Sequence, residues 1–460
     1  MTLETQLTEV LVDVFGHGTQ LVSHHRGPVG NGQETWFCSL ATPEGDREVV
    51  VRRTAGVGPL QWTDREAEYV ALNWLAEKGL PTPTVWHFEP DRGRLDRSTI
   101  VMERMTGKPL GRMDDATRDR LTVDLGRKLA QLHSLDVDGW PGDVPVDRDV
   151  ANEGQLEASA SRYVTDALQP VPLLEALLGW LEANLPERAG SPVALWGDTA
   201  PYNALNEDGV VTAMLDWELA HAGDPYEDLG AAVWATIGIA DPELVVAGYR
   251  EESGLDVSRD DLRWFEVFAA TTRAIMLLRG ARSLVEDPGP RPSFMALALY
   301  LTPQVLLQAA TSAGWEMPPP GHVEHQRDAE ASMLRPTAPE TLRGVAEYLQ
   351  SDVLPVVEDP LIRRNLKNTV ALLCASAARY GREGDLLARS DAADAALLDD
   401  LEAAGIDVSD GLGPTAARIE ADATLERHRV RVRAHLLGSI EALSPILEPL
   451  YELYGIRDNR

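Results

Sequence analysis

The sequence has few cysteines, few basic residues and no long apolar runs. Its two cysteines, Cys38 and Cys374, lie far apart and outside any metal-type spacing, so neither a disulfide framework nor a zinc site is expected. Lys and Arg total 42 against 73 Asp and Glu, a formal net charge of −31, which disfavours binding to nucleic-acid phosphates. No stretch approaches the roughly 18 apolar residues of a membrane span, and the N-terminus lacks a secretory-signal pattern. We therefore expect a cytoplasmic protein.

The remaining composition is that of an ordinary globular protein, with 44% hydrophobic and 25% charged residues. A length of 460 residues predicts two or three folded units. The β-branched runs at 47–54 and 97–105 predict strands. Between these runs, a helix is predicted to begin at Thr63 or Asp64 and to end at Gly79.

From about residue 110 to residue 325 the pattern is mainly helical, for example at 119–135 and 261–285. A β-like insertion at 191–218 interrupts it. The segment 312–332 is rich in proline and then polar, which predicts a linker. Beyond this segment the sequence predicts about three amphipathic helices.

Polar side chains cluster within the insertion. Asp198 follows the apolar run 193–195, Asn203 comes five residues later, and Asp216 ends the strand at 210–215. If those two runs pair in a hairpin, the three side chains reach one edge, where their oxygens suit nucleotide-borne Mg²⁺ and a carboxylate beside the metal could accept a hydroxyl proton. Acids and amides at strand ends also form turns and caps, and this alternative stays open for each residue alone.

The whole segment is LWGDTAPYNALNEDGVVTAMLDWELAHAGDPYEDLG, and it resembles the aminoglycoside phosphotransferase family, a small-molecule branch of the protein-kinase-like fold. The resemblance implies that Asp198 is the catalytic base that orients the acceptor hydroxyl. Asn203 and Asp216 would hold the Mg²⁺ ions that bridge the phosphates of ATP. Asp224 and Asp228 resemble the structural acids of the family.

One position departs from the family pattern, because Trp196 stands where most members have histidine. In the family this histidine mainly supports the catalytic loop. An indole keeps one N–H donor on a large flat body, so a role in the core is expected for Trp196.

The N-terminal part supports the same resemblance. Arg52 follows a run of three valines, where the family has a lysine or arginine that binds the ATP phosphates. Glu68 is expected to hold that cation in place, with Glu66 as the second choice. Glu68 shares a helix face with apolar residues, namely Ala71, Leu72 and Leu75. A surface arginine and an unrelated helix glutamate are the alternative.

Two further segments resemble nucleotide contacts. Gly30-Asn31-Gly32-Gln33 resembles the loop that covers the nucleotide, although it is also an ordinary turn sequence. The run from Val101 to Met105 resembles the hinge between lobes. There the main chain of Glu103 and Met105 is expected to bind the adenine edge.

The fold that the resemblance implies is α+β, a protein-kinase-like two-lobed fold followed by an all-α domain. Residues 15–105 would form a small antiparallel β lobe that binds the nucleotide, and 106–325 a mainly helical lobe for catalysis and acceptor binding. Residues 335–460 resemble a small helical domain of unassigned function found beside such kinases. The alternative for this part is a packing or dimerisation module, which would make the protein a homo-oligomer.

The sequence indicates the acceptor less clearly than it indicates phosphotransfer chemistry. Asp216-Trp217-Glu218 with GDPYEDLG is similar to the acyl-CoA-dehydrogenase-associated branch, which implies a hydroxyacyl-CoA acceptor alongside ATP and Mg²⁺. Cationic antibiotics of the aminoglycoside type, other alcohols, and a non-catalytic pseudokinase scaffold are the alternatives. The candidate contacts for an anionic CoA are basic residues at near-helical spacing: Arg363, Arg364, Lys367 and Arg379.

Overall fold

A computed structural model of the chain describes residues 3–27, 33–54, 65–111, 113–286, 292–316, 338–380 and 383–443. The chain divides into two compact units. The first comprises Met1–Gln155 with Pro186–Ala269, and the second comprises Leu156–Leu185 with Ala270–Arg460. The three-part division given above stays a prediction. In the part of the chain that the structure describes, no helix is both long enough and apolar enough to cross a membrane.

The first unit opens with a helix packed on a five-stranded antiparallel sheet of order β1-β2-β3-β5-β4. The elements are α1 (Leu3–Phe15), β1 (Gln20–Arg26), β2 (Gln33–Thr42), β3 (Gly45–Thr54), β4 (Val85–Glu89) and β5 (Thr99–Glu103). β3 and β5 confirm the two predicted strands, whereas α1 was not predicted. Leu7 and Leu11 of α1 pack against Val49 and Val51 in the core of this layer.

Strand alternation directs Arg52 away from α1. Because Val49 and Val51 are buried on the α1 side, Arg52 lies on the opposite face of the sheet. The helix α2 (Arg65–Leu75) follows β3, and its buried stripe contains Glu68, as predicted. The predicted caps Thr63 and Asp64 lie outside the described residues. α2 ends before Gly79, which adopts a φ of 79° in the turn that follows.

Two small sheets complete the strand content of the described residues. β6 (Lys108–Pro109), β8 (Ala204–Glu207) and β9 (Val210–Met214) form one sheet, and β7 (Val193–Leu195) pairs with β10 (His221–Gly223). The predicted pairing of 193–195 with 210–215 is therefore wrong. Asp208 and Gly209 both have positive φ, at 50° and 85°, which is the geometry of a two-residue hairpin turn. This turn makes the segment after Asn203, and not 193–195, the partner of β9.

The helices of the first unit pack closely. Besides α1 and α2, its described helices are α3 (Asp115–His133), α6 (Pro225–Thr236) and α7 (Glu243–Ser253), while α4 (Arg148–Asp166) and α8 (Arg259–Glu286) have residues in both units. A Cβ at Gly248 would lie 1.9 Å from the Val123 carbonyl oxygen, and one at Gly126 would lie 2.0 Å from that of Val245. These two glycines let α3 and α7 approach backbone to backbone.

The second unit is helical in its described part. Its helices are α5 (Pro172–Ala183), α9 (Pro292–Ser312), α10 (Ala338–Tyr348), α11 (Pro360–Arg379), α12 (Glu383–Ala403), α13 (Leu412–Ala421) and α14 (Glu426–Glu441). Five of them follow the predicted linker, most of which lies outside the described residues. The prediction of about three helices was therefore too low.

Candidate active site

A chain of ion pairs lies on the sheet face opposite α1. Arg52 Nη1 donates to Glu68 Oε1 at 2.6 Å, and Nη2 donates to Asp216. The ion pair predicted between Arg52 and Glu68 is thus confirmed. Burial disfavours the guanidinium charge, but the carboxylates of Asp216, Glu68 and Glu218 outweigh it and raise the pKa of Arg52. A cation is therefore fixed at this point of β3.

A second arginine extends this chain. Arg65 Nη1 donates to Glu68 Oε2 at 2.7 Å, and its Nη2 donates to Glu218. Burial and the neighbouring Asp216 carboxylate raise the pKa of Glu218, although the two arginines oppose this. Neither Arg65 nor the pairing of Glu218 was predicted from the sequence. The available signal was that Arg65 lies one helical turn before Glu68, on the same buried face.

Asp198 and Asn203 are joined directly. Asn203 Nδ2 donates to the Asp198 carbonyl at 2.8 Å and to its carboxylate Oδ2 at 2.9 Å. The Asn203 carbonyl in turn accepts from the Leu215 N–H at 2.9 Å, which brings the next residue, Asp216, beside this pair. The structure thus brings together the three polar residues predicted from their spacing, although a different strand pairing achieves it.

Two stacked indoles support the loop that carries Asp216. Trp196 and Trp217 are fully buried, with ring centroids 5.7 Å apart. Trp196 Nε1 donates to the Leu215 carbonyl at 2.8 Å, and Trp217 Nε1 donates to that of Met214 at 2.8 Å. Trp196 therefore has the core role expected for it. Asp216 itself has a φ of 64°, an unusual backbone conformation that these neighbours hold in place.

The buried carboxylate of Asp228, on α6, holds the residues on both sides of Asp198. It accepts hydrogen bonds from Trp196 N (2.7 Å), Gly197 N (2.9 Å) and Thr199 Oγ1 (2.6 Å), and it lies 3.2 Å from His133 Nε2. Burial opposes ionisation, but His133, Thr199 and the backbone donors outweigh it and lower the pKa of Asp228. The carboxylate stays charged, which suits the structural role predicted for it.

Asp224 begins helix α6 and ties it to two other segments. Its side chain caps the helix through Tyr226 N at 3.0 Å and accepts from Asn152 Nδ2 at 3.2 Å and from Arg188 Nε at 3.0 Å. The Arg188 guanidinium also lies over the ring of Tyr226, at 3.5 Å from its centroid. Asp224 is therefore built into the support of the loop, and the contacts of Asn152 and Arg188 were not predicted.

The predicted hinge residues lie at the far end of the same sheet. Glu103 pairs with Val49 in the ladder that pairs Arg52 with Ile100, so it lies about 10 Å along the strands from Arg52. The Glu103 N–H donates to the Thr84 carbonyl at 2.8 Å, so this backbone donor is already engaged in the structure. Met105 follows, half-buried. The loop predicted at Gly30-Asn31-Gly32 lies outside the described residues.

The oxygens near Asp198 can hold a hard cation. Because Nδ2 of Asn203 is directed at Asp198, its Oδ1 is directed elsewhere, and Asp216 offers a carboxylate whose side chain is 34% exposed. These ligands suit Mg²⁺, which takes few protein oxygens and keeps several waters. Among the described residues, no cluster of three or more His, Cys, Asp or Glu could hold a metal. The residues therefore fit an ion that is held largely by a bound ligand.

His221 gives a pH-dependent contribution to stability. Its Nε2 lies 3.2 Å from Glu227 Oε2, and its Nδ1 lies 2.9 Å from the Leu219 carbonyl. Burial disfavours the imidazolium, but Glu227 and that carbonyl outweigh it and raise the pKa of His221 from 6.5 to about 9. The raised pKa means that this stabilisation is complete below pH 6.5 and is lost as the pH rises through about 9.

We expect His221→Gln to lower the unfolding free energy by about 2–3 kcal/mol near pH ~6. This difference from wild type should disappear by pH ~10. Urea denaturation at several pH values measures it. A difference that stays constant across this range would contradict the assignment.

Comparison with known proteins gives these residues a context. The model of the phosphotransferase enzyme family (APH) matches residues 28–266. Acyl-CoA dehydrogenase family member 10 of Mus musculus is 25% identical over 224 residues, which cover 45% of this chain and 20% of that protein. Family member 11 of Rattus norvegicus is 27% identical over 175 residues, which cover 36% of this chain and 22% of that protein. The chain thus spans about a fifth of these relatives.

Solved structures show the same fold. A proposed aminoglycoside phosphotransferase from Ralstonia eutropha JMP134 has a TM-score of 0.53 at 20% identity, covering 67% of this chain and 98% of that one. A thermostable mutant of aminoglycoside phosphotransferase APH(4)-Ia, in a ternary complex with AMP-PNP and hygromycin B, has a TM-score of 0.50 at 14% identity, with the same coverage. The predicted α+β, kinase-like fold with a helical C-terminal part is confirmed. Because the family model covers just over half of its length, this chain belongs to the phosphotransferase enzyme family (APH).

Proposed function

We propose that this protein is a small-molecule kinase that transfers the terminal phosphoryl group of ATP, with Mg²⁺, to the hydroxyl of a hydroxyacyl-CoA. One observation carries the phosphotransfer part of the proposal. Asn203 donates to the Asp198 carboxylate, and its carbonyl accepts from the N–H of Leu215, the neighbour of Asp216. Asp216 contacts Arg52, which pairs with Glu68 at 2.6 Å. A carboxylate that could act as base, two oxygen ligands that could hold Mg²⁺ and a fixed cation are the parts that phosphoryl transfer needs, and their proximity supports the proposal.

Asp198 is the proposed base. Asn203 fixes the orientation of the Asp198 carboxylate through Oδ2 and through the backbone carbonyl. A carboxylate held in this way can accept the hydroxyl proton of the acceptor and align its oxygen for attack on the phosphorus atom.

Asn203 and Asp216 are the proposed Mg²⁺ ligands, and Arg52 is the proposed phosphate contact. Bound Mg²⁺ would neutralise charge on the phosphate oxygens. Arg52 can bind the same phosphates with a planar fork of donors, whereas a lysine would act as a point charge. The carbonyl of Glu103 and the main chain of Met105 are proposed to bind adenine at the other end of the strands. AMP-PNP in the APH(4)-Ia complex supports a nucleotide in a site of this fold.

The acceptor class is supported by sequence alone. The relatives matched at 25% and 27% identity are acyl-CoA dehydrogenase family members, and their names connect this type of domain with acyl-CoA chemistry. An acyl-CoA carries several negative charges, which a chain of net charge −31 repels unless basic groups are near. Arg363 and Lys367 are exposed on α11 and remain candidates for such contacts, together with Arg364 and Arg379.

The test is an ADP-release assay with a panel of acceptors. We expect Mg²⁺-dependent turnover of ATP with hydroxyacyl-CoAs of several chain lengths, and at least tenfold lower kcat/KM with aminoglycosides, choline-like amines and sugars. Acyl-CoAs that lack the hydroxyl are the matched control and should give no product. Turnover with an aminoglycoside alone would overturn the acceptor class, and no Mg²⁺–ATP turnover with any acceptor would overturn the phosphotransfer proposal.

A further inference from the structure

Five charged side chains alternate in sign along one line of contacts in the first unit. Glu218 pairs with Arg65, Arg65 with Glu68 at 2.7 Å, Glu68 with Arg52 at 2.6 Å, and Arg52 with Asp216. Asp216 and Glu218, at the two ends of this line, are separated by one residue on the loop that follows β9. The contacts therefore close a ring that joins β3, α2 and this loop.

We propose that Arg65 and Glu218 are positioning residues that hold α2 against the loop after β9, so that Glu68 stays in place to orient Arg52. The inference rests on the proposed function, since it assigns a role in preparing the same nucleotide site. The two carboxylate oxygens of Glu68 accept from different arginines: Oε1 accepts from Arg52 and Oε2 from Arg65. Arg65 thus fixes the side of Glu68 that faces away from the phosphate contact.

Two sets of ion pairs connect α2 to the loop after β9, and nucleotide binding would affect them differently. One runs through Arg52 and Asp216, and both of these residues would gain other partners on binding phosphates and Mg²⁺. The other runs through Arg65 and Glu218 and involves no group that contacts the nucleotide. This second connection is therefore the one that persists through the reaction.

Burial makes the second connection specific. The side chains of Arg65 and Glu218 are only 3% and 6% exposed, so solvent screens their attraction little. A guanidinium can bridge two carboxylates at fixed angles, which a lysine ammonium does not reproduce. Removing one partner of a buried ion pair weakens the compensation of the other charge, whereas replacing both partners by apolar side chains often leaves stability unchanged.

The experiment compares Arg65→Met, Glu218→Met and the double variant with wild type. We expect each single variant to lower the thermal midpoint. The double variant should recover part of the loss seen in Arg65→Met, because the Glu218 charge is gone, although Oε2 of Glu68 still lacks Arg65. The double variant should nevertheless lose about tenfold or more in kcat/KM for Mg²⁺–ATP, with the KM of the acceptor unchanged, because Glu68 is no longer held. A merely structural pair would instead regain activity together with stability.

Hydrogen exchange of the nucleotide-free protein gives a readout that does not depend on catalysis. Amides of α2 should exchange about tenfold faster in the double variant, whereas those of α3 should not change. The matched control is Arg263→Met with Asp260→Met, which removes an exposed ion pair of 2.7 Å on α8 and should change neither readout.

Wild-type kcat/KM and wild-type exchange in the double variant would overturn this inference and leave the proposed function standing. Absence of Mg²⁺–ATP turnover in wild type would overturn the proposed function instead. In that case the exchange of α2 still decides whether Arg65 and Glu218 hold the helix.

Discussion

Asp198→Asn is expected to lower kcat by about 10³-fold while Mg²⁺–ATP still binds. The amide keeps the size of the carboxylate, and its oxygen can accept the hydrogen bond that Asn203 donates at 2.9 Å in wild type. The loop geometry should therefore survive. An amide does not accept the hydroxyl proton, so the loss should fall on the chemical step.

Two measurements separate chemistry from binding in this variant. Steady-state ADP release gives kcat, and the rise in thermal midpoint with Mg²⁺–ATP reports nucleotide binding. Asp208→Asn is the matched control, because it makes the same substitution at the exposed turn between β8 and β9, where a φ of 50° suits asparagine. An unchanged kcat in Asp198→Asn would remove Asp198 as the base, and loss of the Mg²⁺–ATP stabilisation would place the residue in nucleotide binding.

Local sequence patterns were sufficient for much of this site. Arg52 ends a run of alternating burial on β3, and Glu68 lies on the apolar stripe of α2. The face on which each side chain lies could therefore be predicted from the two-residue period of a strand and the 3.6-residue period of a helix.

Asp198, Asn203 and Asp216 were expected to meet because of their spacing, but through a pairing of 193–195 with 210–215 that is wrong. The three residues lie close together because few residues separate Asp198 from Asn203 and because a two-residue turn joins β8 to β9. Such short segments strongly restrict where the chain can go.

What the sequence did not reveal depends on contacts between distant segments. Arg65 and Glu218 are separated by 153 positions, and neither residue type predicts burial by itself. The pairing of β7 was wrong for a related reason. A strand of three residues has too little pattern to specify its partner, and the partner, β10, comes after the loop that carries Asp216.

The largest stability effect is expected from Asp228, whose side chain is fully buried. In Asp228→Asn one carboxylate oxygen becomes an NH₂ group that faces donors. His133 and Thr199 can adjust by a change of tautomer or by rotation of the hydroxyl, but the N–H groups of Trp196 and Gly197 can only donate. Whichever way the amide turns, one of these backbone donors is left without an acceptor in a buried site.

We therefore expect Asp228→Asn to lower the unfolding free energy by about 3 kcal/mol, and Asp228→Ala by about 4 kcal/mol because His133 and both backbone donors lose their partner. Urea denaturation measures both, and Asp260→Asn, an exposed aspartate on α8, should stay within about 0.5 kcal/mol of wild type. Since Trp196 and Gly197 directly precede Asp198, kcat should also fall at temperatures where the variant remains folded. A loss below about 1 kcal/mol in Asp228→Asn would mean that water or a shifted loop satisfies the orphaned donor, and that Asp228 does not hold the base in place.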